Sequence, residues 1–99
     1  MKKVEGIKIT MLGITTERGA TIIDCAWQFQ SKLMIENEDR RVNAKSLMSL
    51  MGLTLERGDV ITIIADGEDE DEAIRLFTKA FQMNFAPSVV KEIKEHGKK

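Results

Sequence analysis

The 99-residue chain has one cysteine, one proline, one histidine and no tyrosine. A single thiol, Cys25, closes no intramolecular disulfide, and a lone thiol suits a reducing compartment, here the cytoplasm. One cysteine and one distant histidine do not make a zinc site, so neither metal nor cofactor is expected. No apolar run approaches the roughly 20 residues of a membrane span. Gly6 and Lys8 interrupt the N-terminal stretch too early for a secretory signal, and no membrane association is expected. Charge of one sign is also lacking. Fifteen Lys and Arg against sixteen Asp and Glu leave a net charge of −1, which gives direct nucleic-acid binding no support. There is no repeat, linker or low-complexity tract.

What is present is ordinary for one globular core: 42% apolar and 31% charged residues in a chain of single-domain length. Alternation over Val4–Thr10 predicts a first strand, broken by Gly13 and Thr15-Thr16. Ala20, Ile22, Ile23, Ala26, Trp27 and Phe29 then recur at helical spacing, which predicts a helix over Thr16–Phe29. Two short strands, Leu33–Glu36 and Arg40–Asn43, flank a polar turn at Asn37-Glu38-Asp39.

Ser46–Gly52 reads as a short amphipathic helix, with Ser46 as cap and Gly52 as stop. Asp59–Ala65 is the strongest strand. Five acids, Glu68 to Glu72, open a third helix over Asp69–Met83, where they suit the positive end of the helix dipole as a solvated start. The order strand, helix, strand, strand, helix, strand, helix predicts an α+β two-layer sandwich with helices on one face of the sheet. Residues 1–85 are expected to form the domain. Residues 86–99 form a C-terminal extension with a short helix through Val89, Val90 and Ile93, frayed from Gly97 onward.

Val42-Asn43-Ala44-Lys45-Ser46-Leu47-Met48-Ser49-Leu50-Met51, then Gly58, Ile61-Thr62-Ile63 and Asp66-Gly67-Glu68-Asp69-Glu70, closely resemble the HPr family. These are the histidine-containing phosphocarriers of the bacterial sugar phosphotransferase system, Crh-like variants among them. The resemblance runs without gaps from about Lys3 to Met83, and the residues after Met83 pass the usual family end. It implies an open-faced sandwich, β-α-β-β-α-β-α, with a four-stranded antiparallel sheet in the order 1-4-2-3 and three helices.

One departure stands out against the family pattern. The family carries its phosphoryl group on a histidine at the start of the first helix, and the resemblance puts Thr15 at that place in Gly13-Ile14-Thr15-Thr16-Glu17-Arg18. Glu17 falls where the family has an arginine. An alcohol is a poor nucleophile without a base, and its ester is too stable to pass on. An acid in place of a cation repels phosphate. No catalytic residue is therefore expected, and His96 reads as an exposed histidine of the tail.

Ser46 matches the family's regulatory serine, and the resemblance implies a serine kinase/phosphorylase and a transcriptional regulator as partners. Thr16, Glu17, Ala20, Asp24 and Trp27 on the first helix, with Leu47, Met48 and Met51 on the second, match the surface by which family members dock proteins. The second helix is too short to bury Leu47, Met48, Leu50 and Met51 together, so one or two should face solvent. The helical stripe leaves Trp27 open between a core edge and the surface. Cys25 reads as a plain helical thiol. The expected function is a non-carrier regulatory module that binds proteins. A phosphocarrier acting through an unanticipated residue and an assembly domain without phosphate chemistry are the alternatives.

Overall fold

The computed structural model describes residues 1–98. In chain order the elements are β1 (Lys2–Lys8), α1 (Thr16–Ala26), β2 (Lys32–Asn37), β3 (Arg40–Asn43), α2 (Leu47–Gly52), β4 (Val60–Asp66), α3 (Glu70–Gln82) and α4 (Pro87–Gly97). The four strands form one sheet in the order β1-β4-β2-β3, every pair antiparallel. Helices pack on one of its faces, giving the open-faced sandwich that the pattern predicts.

The register follows from side-chain alternation. Ile61, Ile63 and Ala65 of β4 point into the core, as do Leu33 and Ile35 of β2, and the pairs Ile35–Ile63 and Leu33–Ala65 bring them side by side. β1 begins and ends two residues earlier than the alternation suggests. Its pairing with β4 slips between Val4 and Ile7, and Gly6 sits there at φ +75°, where glycine's lack of a Cβ removes the strain. Ile9 leaves the ladder and bonds instead to Asp59 and Gly58 in the turn before β4.

α1 stops at Ala26 rather than Phe29. The amides of Gln28 and Phe29 reach back only three residues, to Cys25 and Ala26, so the helix tightens into a turn. Phe29 still enters the core. α3 buries Ala73, Leu76, Phe77, Ala80 and Phe81, one stripe at helical spacing, with Glu70, Asp71 and Glu72 in its first turn and Lys79 in its last.

α4 is the short helix expected through Val89, Val90 and Ile93, and it spans Pro87–Gly97. Pro87 opens it at a position that has no use for an amide proton, Val89 and Ile93 are buried, and Gly97 closes it. Glu92 reaches Lys79 at 3.0 Å and tethers α4 to α3. Lys99 lies outside the described residues.

Candidate functional site

Two helix starts and the face between them hold most of the residues singled out from the sequence. Thr15 precedes α1 in an extended conformation, and its Oγ1 accepts a hydrogen bond from the Arg18 amide at 3.1 Å. Ser46 stands in the same relation to α2: its Oγ accepts from the Ser49 amide at 3.2 Å. Both hydroxyls thus satisfy an amide that the first turn leaves unpaired. Thr15→Ala and Ser46→Ala should each lower stability by about 1 kcal/mol, read from urea denaturation midpoints at unchanged slope.

An open cleft of about 560 Å³ lies beside Thr15, walled by Glu17, Arg18 and Thr21 on one side and by Asn84, Phe85 and Pro87 on the other. Arg18 crosses it, donating from Nη1 to the carbonyl of Asn84 at 3.0 Å. Thr16, Glu17, Ala20 and Asp24 are all exposed on α1.

Trp27 is 63% exposed, which resolves the ambiguity left by its position at the edge of the helical stripe. It is nonetheless held. Its indole Nε1 donates to the carbonyl of Lys45 at 3.1 Å, while the Lys45 ammonium lies 5.3 Å over the ring and donates to the carbonyl of Phe29 at 2.8 Å. Burial lowers the Lys45 pKa, against which the Asp69 carboxylate raises it. Asn43 Oδ1 accepts the Lys45 amide and fixes the turn that carries Ser46.

On α2 only Leu50 is fully buried. Leu47 and Met51 are half-buried and Met48 is 86% exposed. The two helices touch closely at Gly19, where a Cβ would lie 2.9 Å from Leu47 Cδ1 and 3.1 Å from Met51 Sδ. The glycine therefore lets α1 and α2 join into one surface. Arg41, on the other edge, is engaged by Glu36 of β2.

Two sequence readings need correction. The acidic run is not simply a solvated helix start: Asp69 is half-buried and caps a different loop. Its Oδ1 accepts from the Ser31 amide at 2.9 Å and from Ser31 Oγ, and its Oδ2 accepts from the Gln30 amide at 3.0 Å. His96, expected to be exposed, packs its ring 4.9 Å from that of Phe29 and brings Nε2 within 3.1 Å of Asp69 Oδ2. The cause is the docking of α4 across α1 and α3, a long-range event that no local pattern reports.

Burial pushes the Asp69 carboxyl up, but the hydrogen bonds from Ser31, Gln30 and His96 outweigh it and hold the pKa well below the usual carboxylate range. Cys25 is fully buried. Desolvation pushes its thiol up to about 11, against a smaller opposing pull from Lys94 of α4, so it has little thiolate at neutral pH.

Residues 7–83 match the family model for the PTS HPr component phosphorylation site. The HPr-like protein Crh of Bacillus subtilis is 40% identical over 62 residues, which cover 63% of this chain and 73% of that protein. The phosphocarrier protein HPr of Xylella fastidiosa is 34% identical over 85 residues, 86% of this chain and 96% of its own length. The crystal structure of HPr-C-His from Thermoanaerobacter tengcongensis superposes with a TM-score of 0.76 at 34% identity, covering 86% of this chain and 96% of that one. Fold, length of match and identity agree: this chain belongs to the HPr family of the phosphotransferase system.

Proposed function

We propose that the chain is a regulatory member of this family that binds proteins and does not relay phosphoryl groups. Thr15 carries the reading. By the resemblance it occupies the place of the phosphoacceptor histidine, and it offers an alcohol already engaged as a helix cap, with an exposed carboxylate two residues on. An imidazole nitrogen attacks phosphorus at neutral pH and yields a labile N-phosphate, whereas a threonine ester holds its group. His96, the chain's one histidine, is engaged elsewhere, by Asp69 and Phe29. Partners dock on the face made by Thr16, Glu17, Ala20, Asp24 and Trp27 of α1 with Leu47, Met48 and Met51 of α2. Exposed methionine and tryptophan suit such a role, because the first adapts to its partner and the second buries a large area at low entropic cost.

Ser46 is the control point in this proposal. A serine kinase/phosphorylase would modify it and a transcriptional regulator would read the result. The related Crh of Bacillus subtilis is a catabolite repression protein, which supports a regulatory role for this branch of the family. A phosphate at this cap adds charge at the turn between Asn43 and Ser49 without displacing a buried group.

Incubation with phosphoenolpyruvate and the system's first enzyme should leave no acid-labile phosphate on the purified protein. A phosphoramidate in amounts matching the protein overturns the reading. With the serine kinase and ATP, the wild type should gain an acid-stable phosphate that Ser46→Ala lacks.

A further inference from the structure

The face between α1 and α2 carries an apolar anchor beside carboxylates that form no ion pair among the described residues. Glu17, Ala20, Asp24 and Trp27 recur at helical spacing and form one exposed stripe along α1. The close approach at Gly19 sets that stripe against α2 and its exposed Met48. Two cations of the neighbourhood are committed to main-chain oxygens: Arg18 to Asn84, and Lys45 to Phe29 with its ammonium over the Trp27 ring. Lys94 of α4 acts on the Cys25 thiol but does not pair with Asp24. Among the described residues neither Glu17 nor Asp24 takes part in a salt bridge.

We infer that this face docks a basic protein segment, one that presents an apolar side chain flanked by arginine or lysine. The inference rests on the docking reading above and adds the sign of the partner's charge. Trp27 and Met48 supply the area to be buried. The two carboxylates at its rim attract guanidinium or ammonium groups during encounter and fix the register, and they repel an acidic surface. Arg18 is exposed but directed across the cleft to Asn84, and Lys45 is half-buried against Phe29, so the stripe Glu17, Ala20, Asp24, Trp27 itself carries only negative charge.

The chain's one tryptophan, with no tyrosine beside it in the sequence, makes Trp27 emission a direct reporter of the face. The probes are two synthetic amphipathic helical peptides with the same leucine and methionine face, one rimmed with arginine and the other with glutamate. The arginine-rimmed peptide should shift Trp27 emission saturably and bind more weakly as salt rises. Its affinity should fall about tenfold in the Glu17→Lys, Asp24→Lys double variant, which should in turn gain affinity for the glutamate-rimmed peptide. The Glu38→Lys, Asp39→Lys variant makes the same change in net charge on the exposed β2–β3 turn and should bind the arginine-rimmed peptide like wild type.

Circular dichroism melts of both variants confirm that they fold. Equal losses in the two double variants overturn the inference, because net charge alone then accounts for binding. If the glutamate-rimmed peptide binds wild type at least as well as the other, the charge assignment is overturned while the docking reading stands. If neither peptide moves Trp27 emission, both fall.

Discussion

Asp69→Ala should cost about 3 kcal/mol, well above the ordinary cost of a surface substitution. The side chain joins the start of α3 to the loop before β2 and to the end of α4. Removing it strips acceptors from the amides of Gln30 and Ser31 and from the Ser31 hydroxyl, and Ser31 has no exposed surface. A hydrogen bond to a charged group contributes roughly 1.5–3 kcal/mol, and partial access of water to Asp69 keeps the total below the sum of its bonds. Urea denaturation at neutral pH measures the loss.

The acid limb of the stability profile provides a second test. The folded-state pKa of Asp69 is depressed below the ordinary value near 4. Its contribution is therefore complete above that ordinary value and is lost as the pH falls below it toward the folded pKa. Asp69→Asn should show a shallower loss of stability across that window. Equal slopes in the variant and wild type would show that the carboxylate carries no such stabilisation. Amide exchange at His96 should also quicken in either variant, because α4 loses its contact with the start of α3.

The elements built on local periodicity were legible before any coordinate. The stripe Ala73, Leu76, Phe77, Ala80, Phe81 admits one helix and one buried face, and α3 has both. Asp-Val-Ile-Thr-Ile-Ile-Ala reads as the strongest strand and forms β4, whose place between β1 and β2 followed from the resemblance and not from its own pattern. The ends moved where hydrogen bonding, not hydrophobicity, sets them: α1 tightens into a turn after Ala26, and β1 slips at Gly6. The cap of α2 was legible because Ser46 precedes an apolar run, and its Oγ does accept from the Ser49 amide. The shortness of α2 implied that one or two of its four large apolar residues face solvent, and Met48 is the one that does.

The remainder depended on contacts between distant parts of the chain. Ser31 and Asp69 lie 38 residues apart and Asp69 and His96 lie 27 apart, and neither pair leaves a periodic trace. The docking of α4 turned a tail histidine into a half-buried one and added Lys94 to the surroundings of Cys25. Trp27 stayed open at the sequence level because a helical wheel places it on the margin of the apolar stripe. Its orientation was settled by Lys45, eighteen residues on, whose backbone carbonyl accepts a hydrogen bond from the indole N–H.

Phe77→Ala should be the most damaging single change, at about 3–5 kcal/mol, a large part of the roughly 5–15 kcal/mol that holds such a domain folded. Phe77 is fully buried and meets two other rings edge-on, Phe81 at 5.3 Å and Phe85 at 6.0 Å. Phe81 and Phe85 meet in the same way at 5.0 Å. Truncation removes the buried area, leaves a cavity and deletes two ring contacts. At about 4–8 °C per kcal/mol for a domain of this size, the melting temperature should fall by at least about 12 °C. The effect should also reach the docking face. Phe85 and Asn84 both adopt left-handed backbone angles, φ +54° and +52°, a conformation that needs its surroundings to hold it. The Phe85 ring supplies that hold, and the Asn84 carbonyl receives Arg18 of α1. Below its melting point the Phe77→Ala protein should therefore show faster exchange at Asn84 and Phe85 and a mobile Arg18 guanidinium, while Met83→Ala, on an exposed side chain of the same turn, leaves both unchanged. A Phe77→Ala protein with wild-type melting behaviour would place the weight of the core elsewhere, on the sheet-facing residues Ile35, Ile61 and Ile63.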